Sequence, residues 1–225
     1  MKTKYFALLI LLFGIFFISP LVTKKRSYHP EFYTPTTSYS FGINEVYAYP
    51  PAVGILTKAT NCLVCHVDNG PWKDDHQTII DIIDKDSGAS LLQPNGTFAL
   101  AVNRYEAKSI YTVIGRESND QKAKPYRNAW LYIDTSTIAT NSLSKFAPGW
   151  ECNLPMACRL TGDKMKQYEN ADITVLPMTI RPTDAARDAE VQLQVMLTKG
   201  ESIKGNTETG MIGNYFTRQL HLTVK

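Results

Sequence analysis

Two cysteines and a histidine stand together in the stretch ATNCLVCHVDNGPW, residues 59–72, where Cys62, Cys65 and His66 form a Cys-x-x-Cys-His pattern. Two thiols at this spacing can add across the two vinyl groups of one haem while the next side chain lies beneath the iron. His66 would then be the proximal ligand. A redox or structural Cys-x-x-Cys loop is the alternative, but it needs no following histidine. We therefore predict one covalently attached haem c per chain.

The distal ligand of this haem decides whether its iron only carries electrons, binds a gas or does chemistry. Cys152 and Cys158, in PGWECNLPMACR, are the two cysteines outside the motif. In an oxidising compartment they could form a disulfide; alternatively, one of them ligates the iron as a thiolate and lowers its potential. Their spacing favours neither. Arg159 would help to hold the sulfur at Cys158, because a nearby cation lowers the pKa of a thiol.

Methionines and histidines are further candidates for the distal position. Met156 and Met178 each follow a proline, as in the Met loop of small electron-carrier cytochromes, although core-filling methionines are common. His76 lies only ten positions after His66, so it would need a sharp chain reversal and is more typical of a solvated side chain. His221, in LHLTV, alternates with apolar residues and is typical of the exposed face of a strand.

The first 48 residues are predicted to be a leader. Residues 6–22, FALLILLFGIFFISPLV, follow two lysines and are nearly all apolar, as in an export signal or a short membrane anchor. Cleavage after Ala48 would give a mature domain of residues 49–225. Basic residues directly after the apolar run resist export and keep the anchor possible. We expect the mature domain in the periplasm or an equivalent lumen.

Charge limits the partners of the mature domain. All of the net charge of +3 comes from residues 1–48, where five Lys and Arg stand against two Glu. No basic patch with interleaved aromatic residues remains, which excludes nucleic acid as a natural partner. An acidic cluster of Asp74, Asp75 and Asp81 is interpreted as solvated surface. No phosphate loop, Ser-His-Asp order or H-E-x-x-H motif is present, so the sequence leaves enzymatic turnover undecided.

Period-two alternation predicts a mostly β fold. Residues 79–83, IIDII, are interpreted as a strand, and turn signals stand at residues 86–88 and 94–96. Alternation occurs at Phe98, Leu100 and Val102, and within residues 110–114 and 130–133. It recurs at Val191, Leu193, Val195 and Leu197, where Glu190, Gln192 and Gln194 would point to the opposite face of the strand. Strands recurring with such turns predict a single antiparallel β-sandwich-like domain preceded by the haem-attachment segment.

A segment of little alternation interrupts these strands at residues 142–170. Long irregular insertions in small domains are often functional. We therefore expect this insertion to cover the haem, with Phe146, Trp150 and Met156 near its face.

The motif, the all-β remainder, the Cys pair in WECNLPMACR and the ending GNYFTRQLHLTVK together resemble a subunit of the NaxLS-type c-type cytochromes, heterodimeric monohaem proteins of anaerobic ammonium-oxidising (anammox) bacteria. The resemblance covers most of residues 49–225. It implies that His66 is the proximal ligand and that Cys152 or Cys158 is the distal one. It further implies a low potential, binding of nitric oxide or carbon monoxide, a related haem-bearing partner subunit, and the anammoxosome as the lumen.

Two other functions stay open on the sequence. The first is a plain periplasmic electron-transfer cytochrome with His/Met or His/His ligation, which would bind no gas but would still need a redox partner protein. The second is an interaction module whose β domain docks a redox enzyme, with electron relay incidental.

Overall fold

The computed structural model describes residues 60–64, 66–73, 76–119, 121–140, 145–200 and 212–225, all within one unit, Val46–Lys225. The predicted leader lies outside the described residues, as do Cys65, Asp74 and Asp75. Within the described ranges, no helix has the length and apolar character needed to cross a membrane.

Strands dominate the described residues, and short 3₁₀ turns at Cys62–Val64, Thr135–Thr137 and Lys166–Tyr168 are the helical elements among them. The strands are β1 (Val67–Asp68), β2 (Thr78–Asp84), β3 (Phe98–Val102), β4 (Lys108–Glu117), β5 (Arg127–Ile133), β6 (Trp150–Cys152), β7 (Met156–Leu160), β8 (Ala171–Pro182), β9 (Ala189–Thr198) and β10 (Ile212–Val224). The predicted strand at IIDII is β2, and glycines with positive φ close both predicted turns, Gly88 at 70° and Gly96 at 82°.

The strands form two sheets. One has four strands in the order β2-β4-β8-β6, and all of its pairs are antiparallel. The other has six strands, in the order β1-β10-β9-β5-β7 with β3 also beside β10. Its pairs are antiparallel except that β1 and β3 run parallel to β10. The structure thus confirms a mostly β fold with antiparallel sheets, and adds two parallel pairs that local alternation does not reveal.

One hydrophobic cluster joins the two sheets. It contains Ile82 and Ile110 from the four-stranded sheet and Trp130 and Val195 from the six-stranded sheet, each at most 1% exposed. Alternation along β3 follows the prediction, since its odd-numbered and even-numbered positions are exposed and buried in turn. The two sheets therefore face each other across a shared core.

The segment at residues 142–170 differs from its prediction as an irregular cover. It contributes β6 to one sheet and β7 to the other, and both strands lie at sheet edges. Phe146 and Trp150 are buried in the core between the sheets, where the Trp150 indole Nε1 donates to the Arg187 carbonyl at 2.8 Å. The expectation that these two residues cover a haem was wrong, because both fill the core instead. Strands β6 and β7 were missed because runs of three and five residues are too short to show alternation.

Asp81 also differs from its prediction as a solvated residue. It is 9% exposed, and its carboxylate accepts hydrogen bonds from the Ser90 hydroxyl at 2.6 Å and from the Tyr168 hydroxyl. These hydroxyls replace water around a buried carboxylate. Asp81 is therefore a structural residue of the outer side of the four-stranded sheet.

Candidate functional site

The Cys-x-x-Cys-His motif begins as a tight helical turn. The 3₁₀ turn Cys62–Val64 is capped by Asn61, whose side-chain oxygen accepts from the Leu63 amide at 3.0 Å. The His66 amide donates to the Cys62 carbonyl at 3.0 Å, a contact between residues four apart. Residues at this spacing lie on one side of a helical turn. The hydrogen bond thus closes one turn of backbone between Cys62 and His66.

The surface beneath this turn is the outer face of the six-stranded sheet, defined as the face turned away from the four-stranded sheet. Residues paired directly across neighbouring strands point to the same face. Two adjacent rows of the outer face are Met156, Leu131, Gln194 and Thr217, and Cys158, Ala129, Met196 and Tyr215. The core residues Trp130 and Val195 lie between these rows and point the other way.

Gln194 fixes the motif to the outer face. Its side-chain oxygen accepts from the Cys62 amide at 3.0 Å, and its side-chain nitrogen donates to the Thr60 carbonyl at 3.0 Å. Gln194 is 1% exposed although it stands on the side of β9 that the alternation predicts to be polar. The segment that carries the motif therefore buries Gln194. Both polar atoms of the Gln194 side chain hold that segment, one at Cys62 and the other at Thr60.

A second attachment follows directly after His66. Strand β1 pairs with β10, and the Asp68 carboxylate accepts from the Asn214 side chain at 3.0 Å and from the Tyr215 amide at 3.2 Å. The motif is thus held on both sides, by β9 before the turn and by β10 after it.

Cys158 lies on the same outer face, on β7. Burial raises the pKa of its thiol, while a hydrogen bond from the Arg127 side chain acts in the opposite direction. Cys158 is a free thiol. The strand register accounts for the contact, because Arg127 stands two residues before Ala129, the direct partner of Cys158.

Arg159, predicted to hold the sulfur, does not face it. Its guanidinium donates to the Val175 carbonyl at 3.0 Å and pairs with the Asp163 carboxylate at 3.4 Å. Consecutive residues of a strand point to opposite faces, so adjacency in sequence separates Arg159 from Cys158. The prediction was wrong in its residue, and Arg127 is the cation at the sulfur.

Cys152 occupies a different environment. It lies on β6 of the four-stranded sheet and packs against the core between the sheets. It is a free thiol, and burial raises its pKa to about 12. The two thiols therefore belong to different sheets and form no disulfide, and only Cys158 shares a face with the motif.

The other predicted ligands are dispersed. Met156 lies on the outer face, one row from Cys158, whereas Met178 is 1% exposed and fills the core. His76 is exposed in a turn. His221 is on the exposed side of β10, as predicted, where its Nδ1 lies 3.4 Å from the Glu190 carboxylate.

Two apolar side chains of the outer face are buried close to Gln194. Leu131 and Met196 are 5% and 0% exposed there. Burial, and then the nearby Cys62 sulfur, raise the pKa of Tyr215 to about 12. Within the described ranges, no group of three or more His, Cys, Asp or Glu could hold a bare metal ion. The Cys62 turn, these two apolar side chains and the Cys158 thiol therefore share the outer face.

Two residues of this site were not predicted as functional. Gln194 was assigned to a polar strand face, and Arg127 was given no role. Nothing in the local sequence marks either one, because each acts on a residue brought near by the fold.

A separate polar cavity of about 210 Å³ lies at the end of β4 and β8. Arg116, Lys122 and Lys124 line it together with Glu117 and Asp172. It contains none of the predicted ligands.

Comparison with known proteins gives no family. No family model matches the chain, and no curated protein matches it. Among solved structures, WR4, an MSP family member of C. elegans, is 9% identical over 56% of this chain and 92% of that chain, with a TM-score of 0.30. The ASH/PapD-like domain of human CEP192 is 12% identical over 72% of this chain and 95% of that chain, also with a TM-score of 0.30. Likeness at this level has no bearing on function.

Proposed function

We propose that this protein is a monohaem c-type cytochrome with the haem attached at Cys62 and Cys65, His66 as proximal ligand and Cys158 as distal ligand. Its role is redox relay or the binding of a diatomic gas such as nitric oxide. We further propose that residues 49–225 form one sandwich-like haem domain whose attachment segment packs on the outer face.

One observation carries the proposal. The turn that begins the motif is fixed by Gln194 to the same sheet face that bears Cys158. The Cys62 backbone and the Cys158 thiol, which are 96 positions apart in sequence, thereby share one sheet face. Cys152 has no comparable support, because it packs into the core of the domain.

Thiolate ligation is consistent with a low potential. A haem bound here would supply an iron that changes oxidation state, and a thiolate ligand from Cys158 would increase the electron density of that iron. The chain's own contribution is to hold one sulfur, keep the surroundings apolar through Leu131 and Met196, and keep a cation beside the sulfur. Low local polarity strengthens the interaction between that cation and the thiolate.

Partners and location follow from this role as proposals. Electron relay requires a redox partner protein, and the resemblance to the NaxLS-type cytochromes supports a related haem-bearing subunit in a heterodimer. Covalent haem attachment and the N-terminal apolar run support an extracytoplasmic location, in a periplasm or an equivalent lumen.

The alternative is a His/Met electron carrier. Met156 favours it, because this residue lies on the outer face in the same row as Gln194, which binds the motif. A thioether in place of a thiolate raises the potential and leaves the iron with two firmly bound ligands.

The ferric spectrum and the reduction potential of axial-ligand variants test the proposal. We expect Cys158→Ser to change the low-spin spectrum and to raise the potential by an amount on the order of hundreds of millivolts. Cys152→Ser is the matched control and should leave both unchanged. A change in Met156→Leu with none in Cys158→Ser would establish the electron carrier instead.

A further inference from the structure

Arg127 and Cys158 form a pair on the outer face that the haem motif does not explain. The Arg127 side chain donates a hydrogen bond to the Cys158 sulfur. The strand register produces the contact, because Leu160 pairs with Arg127 and Cys158 pairs with Ala129, which puts both side chains on one face. The pair is therefore set by the backbone of two neighbouring strands.

The guanidinium is also held from a second direction. Its Cζ lies 5.8 Å from the centroid of the Tyr126 ring, within the range of a cation–π contact. The Arg127 carbonyl accepts from the Thr198 hydroxyl at 3.0 Å, which fixes the backbone at this residue. Arg127 thus has little freedom to leave the sulfur.

We propose that Arg127 is the positioning residue that receives the Cys158 sulfur when it leaves the iron, so that Arg127 controls the opening of the distal position to a diatomic gas. This inference rests on the function proposed above and specifies its regulation. In the haem-loaded protein, Arg127 would lie beside the Cys158 sulfur while that sulfur ligates the iron. After reduction, Arg127 would hold the released sulfur beside the site.

The ligand exchange balances without an acid. A haem held here would supply an iron that one electron from the redox partner protein reduces, and the reduced iron would bind an anionic sulfur less tightly. Cys158 would then leave as a thiolate and keep both electrons of the bond. The Arg127 cation compensates that charge, and no proton is transferred, since a guanidinium stays protonated in proteins.

The test uses the full haem-loaded chain with Arg127→Met, and Arg159→Met as the matched control. Both residues flank Cys158, but Arg159 binds Asp163 and the Val175 carbonyl on the other side of the strand. Two quantities are measured in the reduced protein: the rate of carbon monoxide binding, and the rate at which iodoacetamide alkylates Cys158, located by peptide mass spectrometry.

We expect Arg127→Met to slow both rates about tenfold, the factor that corresponds to one charge-assisted hydrogen bond at the lower end of its range. Arg159→Met should match the wild type in both. If Arg127→Met fails to fold by circular dichroism, Arg127→Gln decides, because glutamine keeps a polar donor but removes the charge. Slower rates in Arg127→Gln then support the inference, and wild-type rates overturn it.

Cys158→Ser separates this inference from the proposed function. If its ferric spectrum changes while Arg127→Met keeps wild-type rates, the ligand assignment stands and the role of Arg127 is refuted. If Cys158→Ser keeps the wild-type spectrum, the proposed function itself fails, and the role of Arg127 fails with it.

Discussion

Gln194 offers the sharpest test of how the motif is positioned. Gln194→Ala removes three side-chain hydrogen bonds from a residue that is 1% exposed: two at 3.0 Å, with the Cys62 amide and the Thr60 carbonyl, and one at 2.8 Å, donated to the Gln192 side-chain oxygen. Each is worth about 0.5–1.5 kcal/mol, so the free energy of unfolding should fall by roughly 1.5–4.5 kcal/mol. The turn also loses its attachment to β9, and we therefore expect a smaller fraction of chains to carry covalent haem.

Urea denaturation at equal slope measures the stability, and the ratio of haem absorbance to protein measures the attachment. Gln219→Ala is the matched control. Gln219 lies on β10 and faces the same side of the sheet as Gln194, and its side chain makes no hydrogen bond within the described residues. Gln194→Glu keeps the acceptor for Cys62 but turns a carboxylate toward the Thr60 carbonyl. It should lose at least as much stability as Gln194→Ala. Equal stability and haem content in Gln194→Ala and Gln219→Ala would refute the positioning role.

Three further predictions concern the remainder of the domain. Tyr168→Phe removes a donor from the buried Asp81 carboxylate and should cost about 1.5–3 kcal/mol of unfolding free energy by urea denaturation; a loss below roughly 0.5 kcal/mol would contradict this. Burial alone would raise the pKa of Asp84, but the Lys108 ammonium and two backbone amides outweigh it and lower that pKa. The ion pair therefore contributes its full stability above the ordinary pKa of 3.8, and this contribution is lost as the pH falls through the lower folded-state pKa. Lys108→Met should flatten the acid dependence of the unfolding free energy below pH 3.8. An unchanged acid profile would argue against the pair. The Cys152 thiol, with its pKa raised to about 12, should resist iodoacetamide at neutral pH in the folded protein, and rapid alkylation there would show that it is not buried.

The strands were predictable wherever a run was long enough to alternate. The odd positions from Val191 to Leu197 are all 0% exposed, as the period-two pattern requires. The two turns were equally predictable, because Gly88 and Gly96 adopt the positive φ that glycine tolerates. Local signals of this kind need only a few neighbouring residues.

Pairing between distant segments was not predictable. Strands β6 and β7 are separated by three residues, yet they join different sheets and carry Cys152 and Cys158 into different environments. The sequence presents the two cysteines as a pair, and only the register separates them. For the same reason, Arg159 is the neighbour of Cys158 in sequence, whereas Arg127 is its neighbour in space.

The central claim is that Cys62 and Cys65 hold a haem covalently, and the intact mass of the purified chain tests it most directly. The full chain would be expressed in a host that exports it and attaches haem c, beside a variant with Cys62→Ser and Cys65→Ser. We expect the mass of the wild-type polypeptide to be increased by one haem, and that of the double variant to show no increase. A wild-type chain that carries no added mass, while a known c-type cytochrome matures in the same cells, would contradict the account.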